Sequence, residues 1–434
     1  MNPLAAELNE LLEKNNPHVL AMLSDLGRNL FFPKGILSQS AEAKEKAHKF
    51  NATIGTATEN GGPMFLQCIQ DKLSAFNPAD IYPYAPPAGK PQLRQLWRDK
   101  MLLENPAQQN KHFGMPIVTN ALTHGLSIIA DLFVDEGDHL VLPDMMWGNY
   151  NLTFATRRKA EVRKFNTFTE VGGFDVEAFK ACLKKTADEK GKAVVILNFP
   201  NNPSGYTPTV AEGDALVAVI KEQAEAGCNI VAVTDDAYFG LFFEDSLKES
   251  LFGKLANMHP RVFSIKLDGA TKEEFVWGFR TGFITFADGK TEMNEPVLTA
   301  IEKKALGIIR GTISNCPHPS QTFVIEALKS PDFVAQKQQK FEIMKGRALK
   351  VKEVLSDSRF TDSWSYYPFN SGYFMCLKLN RVDAESLRVH LLDKYGVGAI
   401  SINKTDLRIA FSCIAEEDIA ELFDLIYQAE CDLA

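Results

Sequence analysis

The run Ala193-Val194-Val195-Ile196-Leu197, followed by Asn198-Phe199-Pro200-Asn201-Asn202-Pro203-Ser204-Gly205-Tyr206, decides the fold. Its five consecutive apolar residues leave no polar face, so they read as a strand covered on both sides. The polar turn behind it holds two prolines and a glycine, which fix an irregular backbone that can present an amide side chain. Comparable runs recur at Ile117 to Thr119, His139 to Leu142, Asn229 to Thr234, Arg261 to Lys266 and Gly282 to Phe286, with helical stretches between them. Buried strands that alternate with helices predict an α/β fold whose mostly parallel sheet is covered by helices on both faces.

Outward from this sheet the patterning changes. Leu4, Leu8, Leu11 and Leu12 share one helical face, and Asn15-Asn16-Pro17 ends it. Residues Phe333 to Leu355 mix apolar side chains with many Lys, Gln and Glu residues, as a long half-exposed helix leading out of the sheet would. Strand-like runs at Gly372 to Leu379 and Asp406 to Ser412, then a helix at Glu416 to Glu430, predict a smaller α+β domain. The expected division is an N-terminal arm with part of the small domain over 1–60, a large domain over 61–325 and a C-terminal small domain over 326–434.

At 434 residues and 45% hydrophobic side chains the chain can bury a large core. A net charge of −8 argues against a partner held by phosphate neutralisation, so no nucleic acid is expected. Seven cysteines, odd in number and never spaced C-x-x-C, suggest no disulfide frame, and the eight histidines show no metal-ligand spacing. No apolar run reaches the ~18 residues of a membrane span, and the acidic, amphipathic N-terminus does not read as a secretory signal. Small-molecule chemistry in the cytoplasm is the expectation.

Open α/β sheets bind ligands at the carboxyl ends of their strands. Asn202 follows the first run quoted. Asp235 and Tyr238 follow Asn229 to Thr234, where a carboxylate at the end of a buried strand calls for a cationic partner such as a pyridinium nitrogen. Leu122 and Thr123 open the helix after Ile117 to Thr119, where backbone N–H groups and a hydroxyl make a phosphate cradle. Trp147 follows His139 to Leu142 and can stack on a planar ring. Lys272 precedes Arg280 by eight positions: an amine able to form a Schiff base with an aldehyde, and a guanidinium able to fork onto a phosphate. Taken singly, each has a plainer reading as a turn asparagine, a capping aspartate or threonine, a core tryptophan or a surface cation. Together they meet the needs of one phosphorylated pyridine aldehyde.

Asn202-Pro203-Ser204-Gly205, Asp235-x-Ala237-Tyr238 and the pair Lys272 and Arg280, in this order, resemble the fold-type I pyridoxal-phosphate enzymes, specifically the class I and II aminotransferases. Trp147-Gly148-Asn149 brings the likeness nearer to the aspartate aminotransferases, and it runs from about Ile54 to the C-terminus. The resemblance implies a seven-stranded sheet and pyridoxal 5′-phosphate as cofactor. Amino-acid and keto-acid substrates follow, with a lean toward dicarboxylic or aromatic ones. It implies that Lys272 carries the cofactor and moves the substrate's α-proton, that Asp235 keeps the ring nitrogen protonated, and that Asn202 and Tyr238 bond the phenolic oxygen. Trp147 would stack on the ring, while Thr123, the Leu122 N–H and Arg280 would hold the phosphate. Arg408 would fork onto the substrate carboxylate and Gly55 let the chain pass close to the substrate. Tyr84 and Arg310 match residues that act across a subunit boundary, so the implied unit is a homodimer with shared sites.

The chain departs from the family's pattern at two places, and a second lysine competes for the anchor role. Gly269-Ala270-Thr271-Lys272 stands where Ser-x-Ser/Ala-Lys is usual, which removes one hydroxyl contact to the phosphate and leaves Thr271 as a possible substitute. Ala121 replaces a glycine or small polar residue in the phosphate loop. Lys266, six residues before Lys272, is the competing anchor. A β-lyase or decarboxylase on the same fold, and a non-catalytic ligand sensor, are the alternative readings; no G-x-G-x-x-G follows a strand, which disfavours a nicotinamide enzyme.

Overall fold

The computed structural model describes residues 2–15, 23, 36–53, 55–72, 75–292 and 295–434. Asn16 and Pro17, which close the first helical pattern, and Ile54 lie outside the described residues. A helix spans Pro3–Asn15, as the leucine spacing predicts.

Seven strands form the main sheet: β1 (Ile117–Asn120), β2 (His139–Pro143), β3 (Glu161–Phe165), β4 (Lys192–Asn198), β5 (Asn229–Asp235), β6 (Val262–Asp268) and β7 (Thr281–Ala287). Their spatial order is β1-β7-β6-β5-β4-β2-β3. The pairs from β3 across to β6 are parallel, and β7 runs antiparallel to both β6 and β1. The sheet is therefore mostly parallel, as its apolar runs predict, with one reversed strand. No apolar run announces β3: Glu161-Val162-Arg163-Lys164-Phe165 lies at the sheet edge with Glu161 and Lys164 exposed. Charged side chains there keep an open edge from pairing with another chain.

Helices α1 (Pro91–Glu104), α2 (Ala121–Phe133), α3 (Val176–Lys190) and α4 (Val210–Glu225) lie in the same large α/β body. α1 buries Leu93, Trp97 and Met101 at four-residue spacing, and Trp97 stacks on Phe283 of β7 with ring centroids 4.1 Å apart. Burial of side chains this size stabilises by roughly 2 kcal/mol each. α4 begins with a capping box between Thr209 and Glu212. Glu212 also accepts the Tyr206 hydroxyl at 2.7 Å, which ties the turn after β4 to the helix that follows.

Lys272 sits in the one-turn helix α5 (Ala270–Glu273), and α6 (Glu295–Thr312) and the long α7 (Phe333–Leu355) come after β7. A second sheet, antiparallel, takes β8 (Trp364–Tyr366), β9 (Met375–Leu379), β10 (Ile400–Ser401) and β11 (Asp406–Ile409) in the order β8-β9-β11-β10. Phe50–Asn51 pairs in parallel with Val397–Gly398, so early chain joins late chain. Two expected strands are shorter than their apolar runs. Gly372 has a φ of +73° and β9 starts only at Met375, and β11 stops at Ile409 before the 3-10 turn Phe411–Cys413. The last helix runs over Ile419–Leu433, behind a 3-10 turn at Glu416–Asp418. Among the described residues no helix is long and apolar enough to cross a membrane.

Candidate active site

The carboxyl ends of β1, β2, β4, β5 and β6 open onto one cavity of about 280 Å³. Ala121, Leu122 and Thr123 line it from the first turn of α2, Trp147 from beyond β2, and Asn198 and Asn202 from the end of β4 and its turn. Asp235 and Tyr238 enter from β5, Thr271 and Lys272 from α5, and Arg280 from the start of β7. The rest of the lining is Ser40, Thr53, Gly55, Phe374 and Arg408. Ten of the residues singled out in the sequence thus meet at one place: Gly55, Leu122, Thr123, Trp147, Asn202, Asp235, Tyr238, Lys272, Arg280 and Arg408.

The other two do not line this chain's cavity. Tyr84 is 89% exposed, and Arg310 lies exposed on α6 with its guanidinium on the Ser314 hydroxyl at 2.5 Å.

Asp235 is buried, and Tyr150 donates its hydroxyl to Oδ2 at 2.7 Å. Burial raises the carboxyl above the usual range, against the pull of Tyr150 and Lys272. A carboxylate in that condition gains from a cation placed against it. Lys272 shows the mirror effect: burial pushes its ammonium down, Asp235 opposes, Arg280 adds to the push, and the result is about 8. Its Nζ lies 4.7 Å from the centroid of the Tyr238 ring. Burial also pushes the Tyr238 hydroxyl up.

Arg408 reaches the cavity from β11 across from Cys376. It donates to Asn202 Oδ1 at 3.1 Å and to the Thr53 carbonyl at 3.0 Å, lies 4.2 Å above the Phe374 ring, and has a buried Nε with no partner among the described residues. A buried guanidinium with a donor to spare suits a ligand carboxylate. The cavity thus has a cation for a carboxylate, a carboxylate for a cation, an amine held near neutrality, and a helix N-terminus beside Arg280 for an anion. That donor set fits pyridoxal phosphate together with an amino acid.

Both departures and the competing lysine find a physical reason or a resolution. A Cβ on Gly269 would stand 2.7 Å from the Gly282 Cα and 2.9 Å from the Thr281 carbonyl oxygen, so β7 leaves no room for a serine. Thr271 lines the cavity, although its hydroxyl donates at 3.4 Å to the Thr281 carbonyl. Ala121 holds a left-handed φ of +60°, a conformation a glycine adopts without strain. Lys266 is buried in β6 between Asp236 and Asp268, each 2.7 Å away, and does not line the cavity.

Sequence reasoning missed Tyr150, Asn198, Thr53, Ser40 and Phe374. Tyr150 stands three residues after Trp147, and Asn198 is the last residue of β4, so position alone was a usable signal for both. Ser40, Thr53 and Phe374 reach the site from distant parts of the chain, which no local pattern reveals.

A profile of the family described as aminotransferase class I and II matches residues 65–426. A probable aspartate/prephenate aminotransferase of Aquifex aeolicus is 27% identical over 282 residues, and the alignment spans 62% of each chain. An aspartate aminotransferase of Bacillus sp. strain YM-2 is 26% identical, over 71% of this chain and 73% of its own. Among solved structures, an aminotransferase of Anaerococcus prevotii superposes with a TM-score of 0.83 at 21% identity, covering 94% of this chain and 98% of its own. With the family profile spanning most of the sequence and the fold matched nearly end to end, the chain belongs to the class I and II aminotransferases, a family of pyridoxal-phosphate-dependent transaminases.

Proposed function

We propose that the protein moves an amino group between an α-amino acid and an α-keto acid in two half-reactions at this cavity, with a preference for dicarboxylic substrates and aromatic ones next. The observation that carries the reading is the convergence of Lys272, Asp235 and Arg408 on one cavity from three separate stretches of chain. Bound pyridoxal phosphate supplies an electron-withdrawing ring joined to the substrate nitrogen, which weakens the bonds at the α-carbon.

The protein's own groups do the rest. Arg408 binds the substrate carboxylate with the fork it now shares with Asn202 and the Thr53 carbonyl. That fixes the substrate's orientation and so which bond is exposed for cleavage. Gly55 lines the cavity without a side chain, which lets the chain pass close to the substrate. Lys272, with a pKa of about 8, is partly neutral under ordinary conditions and can accept the α-proton and return it elsewhere. Asp235 would hold the ring nitrogen's proton, and Tyr150 holds Asp235 in place by its hydroxyl. Asn202 and Tyr238 would bond the ring's oxygen, Trp147 would cover its face, and Thr123, the Leu122 N–H and Arg280 would hold the phosphate. The large part of the chain over 61–325 carries the cofactor in this reading, and 326–434 brings Arg408.

The exposure of Tyr84 and Arg310 supports a homodimer in which each reaches the partner's cavity. An arginine there would read a second carboxylate, which is the basis of the dicarboxylate preference and agrees with the names of the relatives. The setting proposed is the cytoplasm. The test is a panel of amino donors and keto-acid acceptors, read as half-reaction spectra of the purified holoenzyme. Aspartate or glutamate should convert the cofactor fastest, and Arg310→Ala should lose most of that advantage over aromatic donors. Loss of carbon dioxide or of a β-substituent without amino transfer would overturn the assignment.

A further inference from the structure

The sheet ladder stops where the cofactor would begin. Asn198 and Asp235 are register partners and the last residues of β4 and β5. Past that pair the backbone of each strand turns away: toward Asn202 on one side and toward Tyr238 on the other. A pyridine ring holds its nitrogen and its phenolic oxygen at a fixed separation. The two protein groups that meet them, Asp235 and Asn202, need a fixed separation as well, and strand pairing no longer supplies it.

One buried amide does. The Asn198 Nδ2 donates to the Asp235 carbonyl at 2.8 Å, and the Asn198 Oδ1 accepts the Asn202 N–H at 2.9 Å. The side chain is 6% exposed and lines the cavity. Both ends of a rigid planar group are thus used, one on each residue that the proposed function sets against the ring. The neighbouring Asn201 is employed differently. Its Nδ2 reaches the Met145 carbonyl at 3.2 Å and its Oδ1 accepts the Ser204 N–H at 3.0 Å, so it ties the turn to the chain before Trp147 and touches neither partner of the ring. Asn202 has a second constraint, since its Oδ1 accepts from Arg408, which leaves its own Nδ2 for the ring oxygen.

We propose that Asn198 is a positioning residue that sets the spacing between Asp235 and Asn202, and through it the protonation of the bound cofactor. The proposal rests on the proposed function above. An amide is the one common side chain of this size with a donor and an acceptor on opposite corners of a plane. Asn198→Asp keeps the size and the acceptor but loses the donor. Asn198→Ala loses both and strands a buried carbonyl and a buried N–H.

The experiment is a pH titration of the visible absorbance of the holoenzyme, wild type against the two variants. Donation from Asn202 to the ring oxygen favours its deprotonated form, so loosening Asn202 should move the midpoint upward. We expect a shift of about one pH unit for Asn198→Ala, the size of one misplaced hydrogen bond to a charged group, and a smaller shift for Asn198→Asp. Variants that bind the cofactor and titrate at the wild-type midpoint overturn the proposal while leaving the proposed function intact. A wild-type protein that gains no visible band with pyridoxal phosphate overturns the proposed function instead. Should neither variant fold, a crystal structure of the wild-type holoenzyme decides: the Asn198 amide bridging Asp235 and Asn202 beneath the ring supports the assignment, and an amide turned away from either one refutes it.

Discussion

Lys266 and Lys272 are six residues apart and differ in almost everything that matters. Lys266 is a strand residue, 1% exposed, with Asp236 and Asp268 both 2.7 Å from its ammonium. Burial works against that charge, but the two carboxylates overcome it and hold its pKa above the ordinary lysine value. Lys272 lies just past the strand end with Asp235 as its one electrostatic ally among the described residues, and its pKa falls to about 8. The lesson is that burial alone makes no reactive lysine. A lysine becomes a base where the fold buries the ammonium and withholds the carboxylates that would satisfy it.

The comparison can be broken at its largest effect first. Lys272→Ala should abolish the visible band of the bound cofactor and lower turnover by about 10⁴-fold or more, measured by absorbance and steady-state kinetics. Retention of the band in this variant, with its loss in a Lys266 variant, would reverse the two roles. Lys266→Met should act on stability instead. It leaves Asp236 and Asp268 buried without a cation, at a cost of about 3–5 kcal/mol in denaturant unfolding. Folded molecules of that variant should still bind the cofactor through Lys272.

A pH series sharpens the contrast. Between about 8 and the ordinary lysine value of 10.5, the unfolded chain keeps a proton that native Lys272 has released, so its contribution to stability rises with pH across that window. Below 8 both states are protonated and the burial cost is carried in full. The cofactor-free Lys272→Met variant should therefore melt a few degrees above the cofactor-free wild type at pH 7, and the gap should close as pH approaches 10.5. A gap that is constant with pH would mean the lysine's charge is not the cause. The smallest effect belongs to the phosphate loop. Ala121→Gly relieves a left-handed alanine but gives the unfolded chain more freedom, for a net gain of roughly 0.5–1 kcal/mol in cofactor-free thermal unfolding.

The legible part of this molecule was the part built from local patterns. Runs such as Ala193 to Leu197 show as strands because both faces are buried, and the chemistry follows them because sheet ligands bind at strand ends. β3 was hidden because an edge strand can carry Glu161, Arg163 and Lys164 in water. The rest of the lining was hidden for a different reason. Ser40, Thr53 and Phe374 come to the cavity through packing of the second sheet and of the helix Ile36–Lys46, where Gln39 bonds Ser401. Such contacts depend on pairs hundreds of residues apart, and a single sequence has no periodicity that encodes them. The family likeness supplied Arg408 because its motif carries that arginine; the Phe374 ring beneath it has no motif of its own.

The close approach of Gly269 to Gly282 bears on any attempt to re-engineer how firmly this enzyme keeps its cofactor. The obvious design, a serine at 269 to regain the phosphate contact, is sterically closed, because its Cβ would meet the Cα of β7 at 2.7 Å and pry the reversed strand from the turn that carries Lys272. Tighter retention has to be designed elsewhere in the cavity lining, at Thr271 or in the loop around Ala121, where side chains already face the cavity.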